Sequence, residues 1–290
     1  MTRNVTLSAC QYLVRPINDF SDMAKRVQGL LDQARGSDIV LFPELFTIEL
    51  FTTLKGWRER PISDLVEIDQ FTTDFLDLFR TEARARGQFI VGGSHLMKVG
   101  NRFENVGHIF GPEGEHFTHS KTHIFPAESA WHTAEGERMQ AVQLPFAKVG
   151  FNICYEAEIP ECSATLAEQG AEIILCPSAT FTEQGFWRVR HSAQARCIEN
   201  QVYMVHCCLG GTPGAPLPNG YARSSILGPC DLAWSNAAGI VAEAQTNIEM
   251  CITATVDLDL LYENRKSGAA TTFKDRRRQA HLYRAWPSHV

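Results

Sequence analysis

Apolar positions in the first 95 residues alternate between continuous runs and helical spacing. The runs VTLSACQYL (5–13), DIVLFPE (38–44) and FIVGGSH (89–95) are typical of buried strands. Between them, apolar residues recur every three or four positions over 23–34 and about 70–86, which predicts two helices, the second ending at Gly87. This β-α-β-α-β order predicts strands that are at least partly parallel and covered by helices.

The middle of the chain has strand-like runs without intervening helices. They are ENVGHIFGP (104–112), EHFTHSKTHIF (115–125) and MQAVQLPFAKVGFNICYE (139–156). Alternation then resumes, with a helix at about 160–169, the strand AEIILCPSA, a helix at about 185–200, and the strands VYMVHCCLGG and NIEMCITATVDLD. Since no Pro/Ser-rich linker or repeat interrupts this order, we predict one α/β domain over 1–290.

Composition and charge indicate which classes of partner and which cellular compartment to expect. The net charge of −6 and pI of about 5.9 argue against nucleic acid or an anionic membrane as a partner. The basic stretch at 265–284 is an exception, and we expect the tail 265–290 to contact another subunit. The chain shows no signal-like or membrane-length apolar run, and its nine cysteines form no CxxC pair. These features predict a soluble cytoplasmic protein.

Three apolar runs each carry a residue type that performs chemistry. DIVLFPE ends at Glu44, HSKTHIF contains Lys121, and VGFNIC ends at Cys154. Each residue has an ordinary alternative, because strand ends are often solvated, lysine is mostly on the surface and cysteine often packs in a core. The three lie 77 and 33 residues apart, so only the tertiary fold could bring them together.

The three residue types together suit acyl transfer. A thiol attacks as its thiolate, which a carboxylate base such as Glu44 and a cation such as Lys121 would promote at Cys154. The oxyanion that forms on the substrate would be stabilised by the ammonium group and by the backbone N–H of Tyr155. This chemistry requires no cofactor and no metal.

The same segments resemble the nitrilase superfamily of carbon–nitrogen hydrolases. DIVLFPELF, SKTHIFPAE and VGFNICYEAEIPE are similar to its three signature blocks, and GAEIILCPSAT, GFWRVR, ARCIENQ and VDLDLL extend the similarity along the chain. The resemblance implies a four-layer α-β-β-α sandwich and a Glu44–Lys121–Cys154 triad. It also implies protomers that pair through helices, with C-terminal segments crossing between subunits of a homodimer.

The resemblance further implies a second catalytic glutamate after the lysine. Glu128 matches that position best, and Glu135 and Glu137 are weaker candidates; the other role for Glu128 is to orient Lys121. The segments GFWRVR and FPELFT most resemble those of an amidase-like branch of the superfamily. Proteins of that branch are sometimes fused to a RimI-type acetyltransferase domain. The chain departs from many relatives at Glu156, where they have Asp, and at Ile159.

Several other residues have both functional and structural interpretations. Three histidines, His116, His119 and His123, surround Lys121, but a cation between them would repel a metal ion, so we expect no metal site there. Trp131, Trp187 and Arg188 are candidates for substrate contact; the alternative is packing for the tryptophans and a structural ion pair for the arginine. The other cysteines are expected to pack in the core.

These observations predict an enzyme rather than a binding module. The expected reaction is hydrolysis of a small carboxamide to acid and ammonia through a thioester acyl-enzyme. An N-carbamoyl-amine hydrolase or a nitrilase with the same triad is the alternative chemistry, and a non-catalytic interaction module on the same fold is the alternative class. Tyr155 favours the amidase and carbamoylase branches, because true nitrilases of the family usually carry tryptophan there.

Overall fold

The structure, a computed structural model, describes residues 3–283, so positions 284–290 of the predicted tail lie outside it. The strands are β1 (Asn4–Val14), β2 (Ile39–Leu41), β3 (Phe89–Val99), β4 (Arg102–Phe110), β5 (His116–Ser120), β6 (Thr133–Ala134), β7 (Val142–Gln143), β8 (Lys148–Phe151), β9 (Ile173–Ala179), β10 (Tyr203–Gly211), β11 (Ser225–Leu227), β12 (Ile240–Glu243) and β13 (Met250–Asp257). The helices are α1 (Phe20–Gln33), α2 (Thr72–Arg86), α3 (Pro160–Glu168), α4 (Glu183–Asn200), α5 (Leu258–Ser267), α6 (Thr272–Arg278) and α7 (Ala280–Tyr283). None of these helices has the length and apolar content needed to cross a membrane.

The 13 strands are connected by hydrogen bonds, and they divide into two sheets that meet where β1 pairs with β10. The first sheet has the order β5-β4-β3-β2-β1-β13, with β6 paired to β4, and the second has the order β7-β8-β9-β10-β11-β12. The body of β1 pairs with β2 and β13, while its last residues, Tyr12–Val14, pair with Leu209–Gly211 of β10. The β1-β2-β3 and β8-β9-β10 pairings are parallel, as the alternation of helix and strand predicts.

Helices cover the outer faces of both sheets, and the two inner faces pack on each other. On the first sheet, a Cβ on Gly92 would lie 3.1 Å from Phe75 of α2, so the helix approaches the strand closely. On the second sheet, Gly150 lies directly beneath Leu166 of α3. Between the sheets, the Phe151 ring packs on Gly107. These layers confirm the predicted α-β-β-α sandwich.

The structure corrects the bounds of several predicted elements. The run at 115–125 is a strand only to Ser120, so Lys121 lies just beyond the strand rather than within it. The run at 38–44 is a strand only over Ile39–Leu41, and 139–156 contains two short strands followed by a 3₁₀ turn. Residues 39–44 are buried as predicted, whereas in 115–125 Phe117, Ile124 and Phe125 are only partly buried. A ladder ends where the neighbouring strand ends, which local sequence does not specify.

Candidate active site

The three candidate catalytic residues follow three different strands and meet in one chamber. Glu44 follows β2, Lys121 follows β5, and Cys154 follows β8. They line a cavity of about 20 Å³ whose walls also include Glu128 and Trp131. Strands from both sheets therefore contribute to a single small site.

Lys121 and two glutamates form a buried ionic cluster. Lys121 Nζ donates one hydrogen bond to Glu44 Oε1 at 2.7 Å and another to Glu128 Oε1. All three side chains are at most 4% exposed. Two carboxylates thus share one ammonium, so the fully ionised cluster carries one excess negative charge in a setting that penalises charge strongly.

Asn105 connects the two glutamates and was not identified from the sequence. Its Nδ2 donates to Glu44 Oε1 at 2.9 Å and to Glu128 Oε2 at 3.1 Å, while its backbone carbonyl oxygen accepts the Lys121 backbone N–H at 2.9 Å. The other Glu44 oxygen accepts from the Ala179 N–H at 2.8 Å. A polar residue within the apolar run of β4 was the available signal, but the sequence does not show which carboxylates it reaches.

The cluster perturbs the pKa values of its members. Burial and the nearby Glu128 carboxylate raise the pKa of Glu44, although Lys121 opposes this change. Burial alone would lower the pKa of Lys121, but Glu128 and Glu44 together raise it above its ordinary value. Burial and the Glu44 charge raise the pKa of Cys154 well above that of a free thiol. The resting site therefore holds a neutral thiol beside a charged lysine and a carboxylate with raised proton affinity.

Cys154 sits on a sharp turn with an unusual backbone conformation. Its φ of 47° lies in the left-handed region, which costs energy for a residue with a side chain. The Sγ atom lies 3.7 Å from the Ala179 carbonyl oxygen, to which the thiol donates. Tyr155 follows in the first turn of a 3₁₀ helix, Cys154–Glu158, where backbone N–H groups lack intrahelical acceptors. The turn thus presents the sulfur and the Tyr155 N–H close together.

Glu156 holds this turn against the segment that carries Lys121. Its Oε2 accepts the Ile153 N–H at 2.6 Å, and its Oε1 accepts the Thr122 N–H at 2.7 Å and the Thr122 hydroxyl at 2.6 Å. His119 Nε2 donates to the same carboxylate at 3.0 Å. The sequence showed Glu156 only as a departure from relatives; its contacts depend on two segments that are distant along the chain.

The histidines near Lys121 have separate partners. His119 bonds Glu156, His116 Nε2 lies 3.0 Å from His108 Nδ1, and His123 Nδ1 lies 2.9 Å from the Thr122 hydroxyl. Within residues 3–283, no three His, Cys, Asp or Glu side chains are grouped as metal ligands would be.

A wider cavity of about 160 Å³ opens from the chamber. Cys154, Phe125 and Phe181 belong to both spaces, and Arg188 lines the wider one. Arg188 is half exposed, and its Nε donates to Glu158 at 2.7 Å, which leaves the other guanidinium nitrogens available to a ligand. The walls are mostly apolar, so the cavity suits a small organic group attached to the reacting carbon.

The two predicted tryptophan contacts have different outcomes. Trp131 is buried in the chamber wall against Phe181, and its Nε1 has no hydrogen-bond partner among residues 3–283. Trp187 is not among the residues lining either cavity; it donates to Glu183 and stacks on His191 of the same helix. Adjacent helix positions differ by about 100° in direction, so Trp187 and Arg188 face different surroundings.

The weaker glutamate candidates lie outside the chamber. Glu135 accepts the Ile124 backbone N–H at 3.2 Å, and the Glu137 side chain is 82% exposed, 3.9 Å from Arg102. Of the three candidates for the second glutamate, Glu128 is the one whose side chain contacts Lys121.

A buried thiol beside a carboxylate–lysine cluster, on a four-layer α-β-β-α sandwich, matches the fold and the residue types expected of the nitrilase superfamily. The carbon-nitrogen hydrolase family model matches residues 6–266, and the chain belongs to this family.

Individual relatives support this assignment at moderate identity. A probable hydrolase YhcX from Bacillus subtilis is 34% identical over 283 residues, which cover 94% of this chain and 54% of that protein. The chain thus spans about half the length of that relative. Omega-amidase NIT2-B from Xenopus laevis is 26% identical, covering 90% of this chain and 91% of the relative. A nitrilase from Pyrococcus abyssi is 28% identical, with 92% and 94% covered.

A solved structure has the same fold. The carbon-nitrogen hydrolase from Helicobacter pylori G27 aligns with a TM-score of 0.82 at 16% identity, covering 99% of both chains.

Proposed function

We propose that this protein is a thiol amidase that hydrolyses a small carboxamide to its acid and ammonia. The observation that carries the proposal is the buried Glu44–Lys121–Glu128 cluster in the same chamber as Cys154. A structural core has little use for two carboxylates and a lysine beside a strained cysteine, because burying them is costly. An acyl-transfer site needs each of these groups.

In the first half of the reaction, Cys154 attacks the amide carbon. The thiol is neutral at rest, and Glu44, whose pKa is raised by burial, accepts its proton as the carbon–sulfur bond forms. Lys121 stays charged because its pKa is raised by the two carboxylates. Its ammonium and the Tyr155 N–H then stabilise the oxyanion of the tetrahedral intermediate.

In the second half, the amine leaves and water resolves the thioester. An amide nitrogen departs only after protonation, and Glu44 now holds the proton taken from sulfur. Glu128 accepts hydrogen bonds from Lys121 and Asn105, and it assists this transfer by positioning those two side chains. Ammonia leaves, Glu44 activates a water molecule, and hydrolysis of the thioester restores the thiol.

The cavities support a small substrate with an apolar body. We propose that Trp131 and Phe181 form the wall near the reacting carbon and that Arg188 contacts the distal end of the substrate. Trp187 has no place in this proposal, because it faces Glu183 and His191.

Tyr155 and the two carboxylates favour an amide over a nitrile. Nitrile hydrolysis begins with the same thiolate attack, but only an amide requires immediate protonation of a leaving nitrogen, which the glutamate pair can supply. The test is ammonia release from matched amide and nitrile pairs, together with N-carbamoyl amines. We expect higher kcat/KM for the amides; higher values for nitriles across several pairs would reject the amidase assignment.

A direct experiment separates the enzyme from a non-catalytic module. Iodoacetamide is itself a small carboxamide and should alkylate Cys154 faster than the eight other cysteines, as peptide mapping would show. Uniform inertness of all thiols would favour the module.

We further propose that the protein is cytoplasmic, that its chain forms one domain and that it assembles as a homodimer. We also propose that it belongs to the amidase-like branch, some members of which are fused to a RimI-type acetyltransferase. Nine free cysteines support a reducing compartment, and the match to only 54% of YhcX supports a branch with longer members. Exposed Leu282 and Tyr283 near the basic Arg276–Arg278 run support a subunit contact through the tail. Light scattering should report a dimer, and Leu282→Asp should shift it towards monomer.

A further inference from the structure

Two cysteines that line neither of these cavities lie directly opposite each other in the first sheet. Cys10 on β1 and Cys251 on β13 are register partners in an antiparallel pair, flanked by the Ser8–Thr253 pair on the same face. Opposed residues of an antiparallel pair point to the same side of the sheet, so the two thiols face one another. Both thiols are free.

The backbone hydrogen bonds show which kind of pair this is. The Thr6 N–H donates to the Asp38 side chain, and the Thr6 carbonyl oxygen accepts the Asp38 N–H, so the backbone groups of Thr6 point towards β2. Cys10 lies four residues later on the same strand, so its backbone groups also point away from β13. The Cys251 N–H accordingly donates to Gln33 Oε1 of α1 rather than to Cys10. The two residues therefore form a non-hydrogen-bonded pair, the closer of the two antiparallel arrangements.

This arrangement has the dimensions of a disulfide. Non-hydrogen-bonded pairs hold their Cα atoms about 4.5 Å apart. Disulfides span Cα separations of roughly 4.4–6.8 Å, so a bond needs rotation of the side chains but no displacement of either strand. Cys207, whose thiol donates to the Cys10 carbonyl oxygen at 3.3 Å, packs between the two sheets, whereas Cys10 packs against the α1 and α2 side. It is therefore not an alternative partner.

The two thiols differ in access and acidity. Cys10 is completely buried, and Cys251 is partly exposed at the edge strand. Hydrogen bonds from Cys10, Ser8 and Thr253 lower the pKa of Cys251, while burial raises that of Cys10. An oxidant would thus meet the more acidic thiol first, with a second thiol in contact behind it.

We propose that Cys10 and Cys251 form a cross-strand disulfide on exposure to hydrogen peroxide. The Cys251 thiolate attacks peroxide, so that an S–O bond forms, the O–O bond breaks and hydroxide leaves to become water. The Cys10 sulfur then attacks the Cys251 sulfenic acid; the S–S bond forms, the S–O bond breaks, and the Cys10 proton leaves with the second water. Two thiols are oxidised and one peroxide is reduced to two waters.

The bond would join the first strand of the sandwich to its last. Closing such a long stretch of chain restricts the unfolded state strongly, so oxidation should raise the thermal midpoint. Neither thiol lines the catalytic chamber, so this inference is independent of the proposed amidase reaction.

The test is peptide mapping of the native wild-type protein under non-reducing conditions after treatment with peroxide. We expect a Cys10–Cys251 cross-linked peptide, a rise of several degrees in the thermal midpoint, and reversal of both by dithiothreitol. Cys251→Ser should lose the cross-link and the shift, whereas Cys230→Ser, which removes an exposed cysteine elsewhere, should retain both.

Cys10→Ala gives a second measure of the same step. It leaves Cys251 without its resolving partner, so a sulfenic acid should accumulate there and be trapped by dimedone. Recovery of wild-type Cys251 as a sulfinic acid with Cys10 still reduced would overturn the proposal, as would a cross-link that forms only after denaturation.

Discussion

Glu156 accepts hydrogen bonds from both the backbone N–H and the hydroxyl of Thr122, at 2.7 and 2.6 Å. Thr122 follows Lys121, and Glu156 also accepts the N–H of Ile153, which precedes Cys154. One buried carboxylate therefore fixes the neighbours of the lysine and of the nucleophile to each other. We infer that Glu156 is a positioning residue for the proposed reaction.

Replacing Glu156 with Gln should lower turnover without removing any reacting group. A Gln amide offers one acceptor where two are needed and leaves a buried donor unpaired, at a cost of about 1–3 kcal/mol. Because small displacements of positioned groups cost up to about 100-fold, we expect kcat to fall by ten- to a hundredfold while KM changes less. Thr122→Ser should behave like the wild type, and Thr122→Val should show a smaller loss. Equal kcat for Glu156→Gln and wild type would reject the positioning role.

The same carboxylate should contribute to acid sensitivity. Burial alone would raise the pKa of Glu156, but His119 and Thr122 lower it below its ordinary value. A lowered folded-state pKa gives stability that is present above the unfolded value, about 4.3, and is lost as the pH falls through the folded value. Urea unfolding should show the largest difference between wild type and Glu156→Gln above about pH 5. A difference that grows on acidification would contradict this assignment.

Cys154→Ala should abolish ammonia release. The substitution removes one sulfur at the end of a strand, so the free energy of unfolding should change by only about 1 kcal/mol. Cys154→Ser should also be nearly inactive, because a hydroxyl ionises far less readily than a thiol. Cys230→Ala, at an exposed position, is the matched control and should keep full activity. Activity in Cys154→Ala would end the case for a thiol mechanism.

Glu128→Gln should impair turnover more than thiol alkylation. The variant keeps the shape of the side chain but removes the carboxylate that positions Lys121 and Asn105. Amide turnover should drop by about 10²-fold, as expected when catalytic groups are displaced. The rate of Cys154 alkylation by iodoacetamide should drop much less, since alkylation expels no amine. Glu137→Gln, at an exposed position outside the chamber, should leave both rates unchanged.

Arg188 and Trp187 offer an adjacent pair that tests the wider cavity. Arg188→Gln removes the cation from the cavity wall and should change KM several-fold with a smaller effect on kcat. Trp187→Phe alters a residue outside both cavities, so its kinetic constants should match the wild type. A larger change in KM for Trp187→Phe than for Arg188→Gln would reverse the assignment of this cavity as the substrate site.

The sequence by itself determined the alternation of helices and strands up to β10, the strand β13, the family, and the candidates Glu44, Lys121 and Cys154; β6, β11, β12 and the helices after β13 were not predicted. Continuous apolar runs mark strands buried on both faces, and helical spacing marks the covering layers, because burial of each element depends on its own residues. A reactive residue type that follows such a run can be identified from the sequence alone, because its identification does not depend on tertiary contacts. The resemblance across three separate blocks then linked these candidates to one chemistry.

Only the tertiary structure decided which polar groups meet. Asn105 bridges Glu44 and Glu128, and Glu156 joins Thr122 to Ile153, through contacts between segments that are far apart along the chain. Sequence patterns report the face on which a residue lies but not the partner that another strand or loop brings to it. Cys10 and Cys251 face each other for the same reason: antiparallel register, set by the whole sheet, aligns two positions separated by most of the chain.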